Sequence, residues 1–117
     1  MSFYNILREL VEGVDGGVAA VLMGMDGLSV QQYSVKEGYD IESLAVEYGK
    51  AVDEIKKAAA ILNLGGVEEV LIRAAASDIV IRVVTSEYYL AFVVRQGAGV
   101  GKAGYMSKKA ASKIRPD

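Results

Sequence analysis

A glycine-rich segment near the carboxyl end is the part of the sequence closest to a nucleotide-binding motif. The segment that begins at Gly97 reads Gly-Ala-Gly-Val-Gly-Lys-Ala-Gly. Compared with a phosphate loop, Gly97 stands one residue too near Gly101, and Ala103 replaces the hydroxyl residue that holds Mg²⁺. Gly99, Gly101 and Gly104 do match the dinucleotide fingerprint, but only 13 residues follow them, too few for a second strand and its ribose-binding acid. We expect a tight strand-to-helix turn here, with no nucleotide and no other cofactor.

The side chains on which most catalytic and metal sites depend are absent. The chain has no cysteine and no histidine. Their absence excludes disulfides, thiolate nucleophiles, triads that use histidine, and the usual zinc sites. The adjacent carboxylates of Glu68 and Glu69 cannot share a site, because neighbours along a strand point to opposite faces. We therefore predict no catalytic residue and no metal site, and a protein that is not an enzyme.

The last predicted helix concentrates positive charge. Lys102, Lys109 and Lys113 line up on it, with Lys108 and Arg115 nearby. They are suited to a docking patch for an acidic partner or an anionic lipid surface, or to a solvated face that complements the helix dipole. Because the formal net charge of the chain is −2, we expect no nucleic-acid partner, since such proteins are strongly basic.

The sequence predicts one domain and no membrane span. A length of 117 residues without a linker-like segment fits a single domain over residues 1–117. The longest apolar stretch, residues 18–25, is far shorter than the roughly 20 residues that cross a bilayer. The first residues lack the pattern of a signal peptide. We expect a cytoplasmic protein.

Hydrophobic periodicity predicts a helix followed by a hairpin. Apolar residues recur with helical spacing between residues 3 and 11. The nearly continuous apolar run at residues 18–25 predicts a strand covered on both faces. Asp26 and Gly27 predict a two-residue hairpin turn with positive φ at both positions, leading into a half-polar strand that begins at Leu28.

A long central helix is predicted after Asp40, a favourable N-cap residue because its carboxylate accepts hydrogen bonds from the first turn. Apolar residues at helical spacing form a stripe that we expect to face the sheet. They are Ile41, Leu44, Ala45, Tyr48, Val52, Ile55, Ala59 and Leu62. Residues 63–66 should end the helix, with a glycine in the left-handed conformation.

Three strands and a last helix complete the predicted fold. The strands are expected at residues 67–75, 79–85 and 88–96, and the short joins between them allow only hairpins. The predicted order is α-β-β-α-β-β-β-α. A five-stranded antiparallel sheet with helices on both faces, an α/β (α+β) sandwich, would cover all of the apolar stripes at once.

Small residues on one flank of the central helix indicate a close approach by another element. The flank consists of Ala45, Gly49, Val52, Lys56 and Ala60. A glycine inside a helix costs about 1 kcal/mol relative to alanine. Gly49 either admits a second helix across a dimer axis or makes room for a bulky neighbour in its own subunit, and the sequence leaves both explanations open.

The first strand of the three-strand meander is expected to lie at an edge of the sheet. Its unpaired N–H and C=O groups would be flanked by Val70, Leu71 and Ile72. Such edges pair with another chain unless charge, proline or a bulge protects them. We therefore expect a homodimer.

Together, these features are similar to those of a known family. They are the hairpin at Asp26 and Gly27 after a first helix, the alanine-rich central helix, the meander, and the turn at Gly99 and Gly101 into a last helix. In this pattern the chain resembles the Roadblock/dynein light-chain family, and in length its prokaryotic MglB-like regulators of Ras-like GTPases. The resemblance implies a profilin-like sandwich that dimerises through residues 67–75 and 45–60.

The resemblance also implies a function in protein–protein contact. It implies a scaffold or regulator of a small Ras-like GTPase or of a larger assembly. Members that activate GTPases are thought to reposition the partner's own catalytic residues, so Arg73, Arg82 and Arg95 are not assigned as arginine fingers. Two alternatives remain, an assembly scaffold without effect on GTP turnover and a small-ligand sensor of profilin-like fold.

Overall fold

The helices and strands follow the predicted order. A computed structural model describes residues 2–115. Its elements are α1 (Phe3–Glu12), β1 (Gly17–Gly24), β2 (Ser29–Ser34), α2 (Ile41–Ile61), β3 (Glu69–Arg73), β4 (Ser77–Val83), β5 (Tyr88–Arg95) and α3 (Val100–Ile114). The α-β-β-α-β-β-β-α order is therefore confirmed.

The strands form one antiparallel sheet with helices on both faces, as predicted. The five strands lie in the order β2-β1-β5-β4-β3, and every neighbouring pair is antiparallel. Helix α1 packs on β1 and β2, and α3 packs on β4 and β5 and against α1. Helix α2 packs on β1 and β2 from the other face. The last strand in the chain, β5, thus lies at the centre of the sheet.

Apolar side chains on both faces explain why the central strands need two layers of helices. Leu22, Leu90 and Phe92 are buried on the α1/α3 face. Val21 and Ala91 are buried on the α2 face. Because successive side chains of a strand point to opposite faces, the continuous apolar runs in β1 and β5 fill both layers.

The first hairpin has a longer turn than predicted. The N–H of Gly24 donates to the carbonyl of Leu28 (2.9 Å), and the N–H of Gly27 donates to the carbonyl of Gly24 (2.9 Å). Gly27 has φ 88°, and Asp26 is not among the residues with positive φ. The loop thus has three residues and a single left-handed glycine. The prediction of a two-residue turn was wrong because the dipeptide alone does not determine the register of the strands.

Helix α2 begins and ends where predicted, but the residue that takes the left-handed position directly after its cap is not the expected glycine. The Asp40 carboxylate accepts from the N–H of Ser43 (3.0 Å) and from the Ser43 hydroxyl. The bond from the hydroxyl, followed by the capping bond from the N–H, lowers the pKa of Asp40. At the other end Asn63, and not a glycine, takes the left-handed conformation, with φ 57°. The N–H of Leu64 donates to the carbonyl of Ala59 (2.9 Å), which is a Schellman ending.

The first two strands of the meander differ from the predicted positions, whereas β5 begins at residue 88 as predicted. β3 is shorter than residues 67–75, and β4 begins before residue 79. The reason is that the turn lies at Ala75 and Ala76, where the N–H of Ala74 donates to the carbonyl of Ser77 (3.0 Å). Alanines in a turn look like strand residues in the sequence, whereas Asp78, which looks like a turn residue, is buried in β4.

Gly49 makes room for a tyrosine of its own subunit. A Cβ atom at Gly49 would lie 2.4 Å from the hydroxyl oxygen of Tyr89. That hydroxyl donates to the carbonyl of Ala45 at 2.7 Å, so β5 is tied directly to α2. Burial raises the pKa of Tyr89. Of the two explanations for Gly49, the bulky neighbour within the subunit is the one for which the structure provides contacts.

Replacing Gly49 by alanine should therefore destabilise the subunit. Helix propensity favours alanine by about 1 kcal/mol, but overpacking costs about 1–3 kcal/mol, and displacing the Tyr89 hydroxyl loses a hydrogen bond worth about 1 kcal/mol. Overpacking and the lost hydrogen bond add, and the gain in helix propensity offsets part of their sum. We therefore expect a net loss of roughly 1–3 kcal/mol in the free energy of unfolding. Chemical denaturation measures this loss.

A double-mutant cycle isolates the contact. In the Tyr89→Phe background the nearest atom to the new methyl group is gone, so Gly49→Ala should cost markedly less. Gly101→Ala serves as control, because a Cβ at that helical position meets nothing within 4 Å. Equal losses from Gly49→Ala in both backgrounds would contradict the contact.

Candidate functional site

The edge strand β3 is hydrogen-bonded on one side by β4. The N–H of Val83 donates to the carbonyl of Glu68 (3.0 Å), and the N–H of Ala74 donates to the carbonyl of Ser77 (3.0 Å). Hydrogen-bonded and non-hydrogen-bonded pairs alternate along an antiparallel ladder. The even-numbered residues of β3 are therefore those whose backbone groups bond to β4.

The odd-numbered residues of β3 point their backbone groups outward. Among the described residues, no strand lies beyond β3. The N–H and C=O groups of Glu69, Leu71 and Arg73 thus face away from the sheet. Neither a proline nor a bulge interrupts the pairing of β3 with β4. This edge lacks two of the usual protections against pairing with another strand.

The predicted interface residues of β3 lie on both of its faces. Val70 and Ile72 pack at the margin of the α2-side core and are half-buried. Leu71 lies on the α1/α3 face and is 48% exposed. Since α2 packs on β1 and β2, β3 keeps apolar surface uncovered beside its free edge.

The predicted flank of α2 does not form one open surface. Ala45 and Val52 are fully buried against the sheet of their own subunit, and Gly49 is occupied by Tyr89 as described. Lys56 is half-buried, and Ala60 is exposed. Only the last two have surface to offer a partner.

A neighbouring stripe of α2 is apolar and exposed. It consists of Ala51, Ile55, Ala58 and Leu62. Ile55 is 40% exposed and Leu62 is 65% exposed, although both were expected to face the sheet. The spacing of the four residues is itself helical, so the signal was present in the sequence. Ile55 and Leu62 were predicted to belong to the core stripe because the two stripes lie side by side on the helix.

The lysines of α3 are placed on its outer side. Lys102 and Lys109 are exposed, and the Lys109 ammonium lies 5.8 Å from the centroid of the Tyr105 ring. Lys113 is 3.7 Å from the Glu9 carboxylate of α1. Exposed pairs of this kind contribute little to stability. The geometry therefore leaves Lys102 and Lys109 accessible for binding.

The glycine-rich turn connects β5 to α3 closely. Gly97 has φ 84° and Gly99 has φ 106°, conformations that side chains rarely adopt, and α3 begins directly after Gly99. Both neighbours of β5 are antiparallel to it. The turn is thus not part of the parallel βαβ unit in which dinucleotide sites occur.

The three strand arginines that were considered as arginine fingers differ in their surroundings. Arg82 forms a salt bridge with Glu69, and both side chains are largely buried. Arg73 and Arg95 are exposed at the ends of their strands. Within residues 2–115, no group of carboxylates is arranged to hold a metal ion. None of these side chains belongs to a cluster that could act as a catalytic site.

Comparison with solved structures identifies the family. MglC from Myxococcus xanthus has 32% sequence identity to this chain and a TM-score of 0.70, covering 98% of each chain. The chain belongs to the Roadblock/LC7 family. A Roadblock/LC7 domain from Streptomyces avermitilis matches at a TM-score of 0.86 with 19% identity, covering 97% of this chain and 94% of the other. MglB from Myxococcus xanthus matches at 0.86 with 15% identity, covering 96% and 90%.

The last two likenesses concern the fold, because their identities are low. This fold is also that of profilins from Acanthamoeba castellanii, so the predicted profilin-like sandwich is confirmed. No family model matches the sequence, and no curated protein matches it. Among the described helices, none combines the length and the apolar character that crossing a membrane requires.

Nucleotides should not bind to this Roadblock/LC7 chain. Ala103 lacks a hydroxyl for Mg²⁺, and the turn at Gly99 leads out of an antiparallel strand. Calorimetric titration with ATP, GTP and NAD is expected to give only heats of dilution. A submillimolar dissociation constant for any of the three would refute this reading of the glycine-rich turn.

Proposed function

We propose that the chain is a homodimeric interaction module that binds or regulates a small Ras-like GTPase. The observation that carries the proposal is the unpaired edge of β3 together with an exposed apolar stripe of α2, in a chain of the Roadblock/LC7 family. Surfaces of this kind bind other protein chains and do not catalyse reactions. We also propose that the protein is cytoplasmic and not an enzyme.

In the proposed dimer, two copies of β3 pair in antiparallel fashion around a two-fold axis. If the axis passes Leu71, the outward backbone groups of Leu71 in the two copies bond to each other. Glu69 then lies opposite Arg73 of the other copy on the same face, so opposite charges meet. This register uses all of the free backbone groups of β3 and is self-complementary, as a two-fold contact must be.

Helix α2 supplies the second half of the proposed contact. The exposed stripe of Ala51, Ile55, Ala58 and Leu62 lies on the same face of the sheet as the half-buried side chains of Val70 and Ile72. A second copy of α2 would shield both from water, and burial of apolar area stabilises by about 25 cal/mol per Å². Lys56 and Ala60 would lie at the rim. Ala45, Gly49 and Val52 are left out of this refined contact, since they are engaged within the subunit.

The two alternatives differ in their support. An assembly scaffold without effect on GTP turnover would use the same surfaces, and only a measurement of turnover separates it from the main proposal. A ligand sensor needs an internal cavity with convergent polar groups. Fully buried apolar side chains such as Phe92, Leu22 and Ile81 fill the layers on either side of the sheet, which disfavours this alternative.

A proline at Leu71 should abolish dimerisation. Proline has no N–H, so it removes the central donor of the proposed β3 pairing. It spares the ladder to β4, because the N–H of Leu71 points away from that strand. Sedimentation at micromolar concentration should give a dimer for the unmodified chain and a monomer for Leu71→Pro.

Leu71→Thr is the matched control. Threonine keeps the backbone donor and suits a strand, so this variant should remain dimeric. Far-ultraviolet circular dichroism checks that both variants are folded. A monomeric unmodified chain, or a dimeric and folded Leu71→Pro variant, would show that β3 does not form the contact.

The regulatory part of the proposal is tested on GTP turnover. This protein should change the rate of GTP hydrolysis by a co-purifying Ras-like GTPase on the order of tenfold. Such a change corresponds to about 1.4 kcal/mol in the activation barrier of hydrolysis. The measurement is single-turnover release of phosphate, with the unmodified chain and with Leu71→Pro. Binding without any change in rate would favour the scaffold, and absence of a GTPase partner would reject the regulatory proposal.

A further inference from the structure

A groove crosses the end of the molecule where α3 finishes. Its volume is about 420 Å³, and it is bounded by the end of α3, the start of β3 and the β4–β5 turn. Lys108 and Arg115 line it from α3 and its cap, and Glu68 lines it just before β3. Within residues 2–115, neither Lys108 nor Arg115 takes part in an ion pair. We call this feature the basic groove.

An apolar cavity of about 220 Å³ adjoins the basic groove. The two share Val84 and Thr85 as a common wall. Around the apolar cavity, Phe3, Val30 and Tyr88 are 42%, 45% and 38% exposed. An apolar cavity of roughly 150 Å³ can hold a benzene ring. This cavity therefore fits one aromatic or large aliphatic side chain.

The charge around the groove favours an anionic occupant. Residues 100–115 contain five basic and no acidic side chains, although the chain as a whole has 13 basic and 15 acidic residues. Positive charge is thus concentrated on the one helix that lines the groove. Glu68 is the single carboxylate among the lining residues. Such a field steers acidic segments toward the groove and raises their association rate.

The apolar cavity lies away from the proposed dimer contact, and the basic groove borders that contact only where Val67 and Glu68 precede β3. Lys108 and Ile114 belong to α3, which packs on the α1/α3 face of the sheet. The exposed stripe of α2 is on the opposite face. The α3 wall of the groove and the apolar cavity would therefore stay open in a dimer, one set on each subunit.

We propose that the basic groove and the apolar cavity form a docking site for an extended acidic peptide segment of a partner protein. Its carboxylates contact Lys108 and Arg115, and one large apolar side chain enters the cavity beside Phe3, Val30 and Tyr88. A flat bilayer surface does not enter a concave groove, whereas an extended peptide does. This site is centred on α3 and borders the β3 edge only at Val67 and Glu68, and it does not depend on the GTPase proposal.

The probe is a library of random nine-residue peptides displayed on phage and selected against the immobilised full chain. Enriched sequences should carry several Asp or Glu residues near one Phe, Leu, Ile or Trp. Fluorescence anisotropy with the best labelled peptide then gives its affinity, which should fall as salt increases. Failure to enrich any sequence, or enrichment of sequences without acidic residues, overturns the proposal.

Two variants separate the parts of the site. Lys108→Glu combined with Arg115→Glu should weaken peptide binding on the order of tenfold or more, since it reverses the two basic groove charges that take part in no ion pair within residues 2–115. Val30→Trp fills the apolar cavity without changing charge and should weaken binding to a similar extent. Thermal melts and sedimentation establish that each variant keeps its fold and its oligomeric state.

The matched control reverses the same charge on the same helix outside the groove. Lys102→Glu combined with Lys109→Glu should leave affinity within about threefold, because neither lysine lines the groove and exposed charges are screened over roughly 10 Å. An equal loss in this control would show a diffuse basic face and overturn the groove. Binding to phosphatidylserine vesicles in co-sedimentation, without peptide binding, would assign the surface to membranes instead.

Discussion

The apolar character of both faces of β1 and β5 is the constraint on which the rest of the structure depends. Every side chain from Ala19 to Met23 and from Tyr89 to Val94 is shielded from water, so each face of the sheet requires a layer of helix. Helices α1 and α3 cover one face of the sheet. The other face is covered by α2 alone, which packs mainly on β1 and β2. The incomplete cover near β3 follows from this arrangement.

The order of elements could be read from the sequence because it depends on local signals. Asp40 caps α2, and the apolar period changes between strands and helices, so each element has its own signature. The exact form of the turns could be predicted less well from the sequence. The bonds at Gly24 and Gly27 depend on how two strands align, and the left-handed Asn63 takes the place that composition assigns to glycine. These details are decided by partners distant in the chain or by small differences in backbone energy.

The candidate site was only partly predictable for a similar reason. The edge position of β3 follows from the order of strands, and its free backbone groups follow from alternation. The role of Gly49 depends on Tyr89, forty residues away, and no spacing rule connects the two. The apolar stripe from Ala51 to Leu62 was visible in the sequence, but a period of 3.6 residues does not tell which of two adjacent stripes meets the sheet.

The central position of β5 has a consequence for the order of events during synthesis. β1–β2 and β3–β4 are each hairpins of neighbours in the chain, but only β5 joins one hairpin to the other. Until Arg95 has left the ribosome, the nascent chain therefore contains two separate hairpins, each with an open edge where β5 belongs. An isolated hairpin is marginally stable in water. The sheet can close only when most of the chain has been made, so its cooperative folding is a late event.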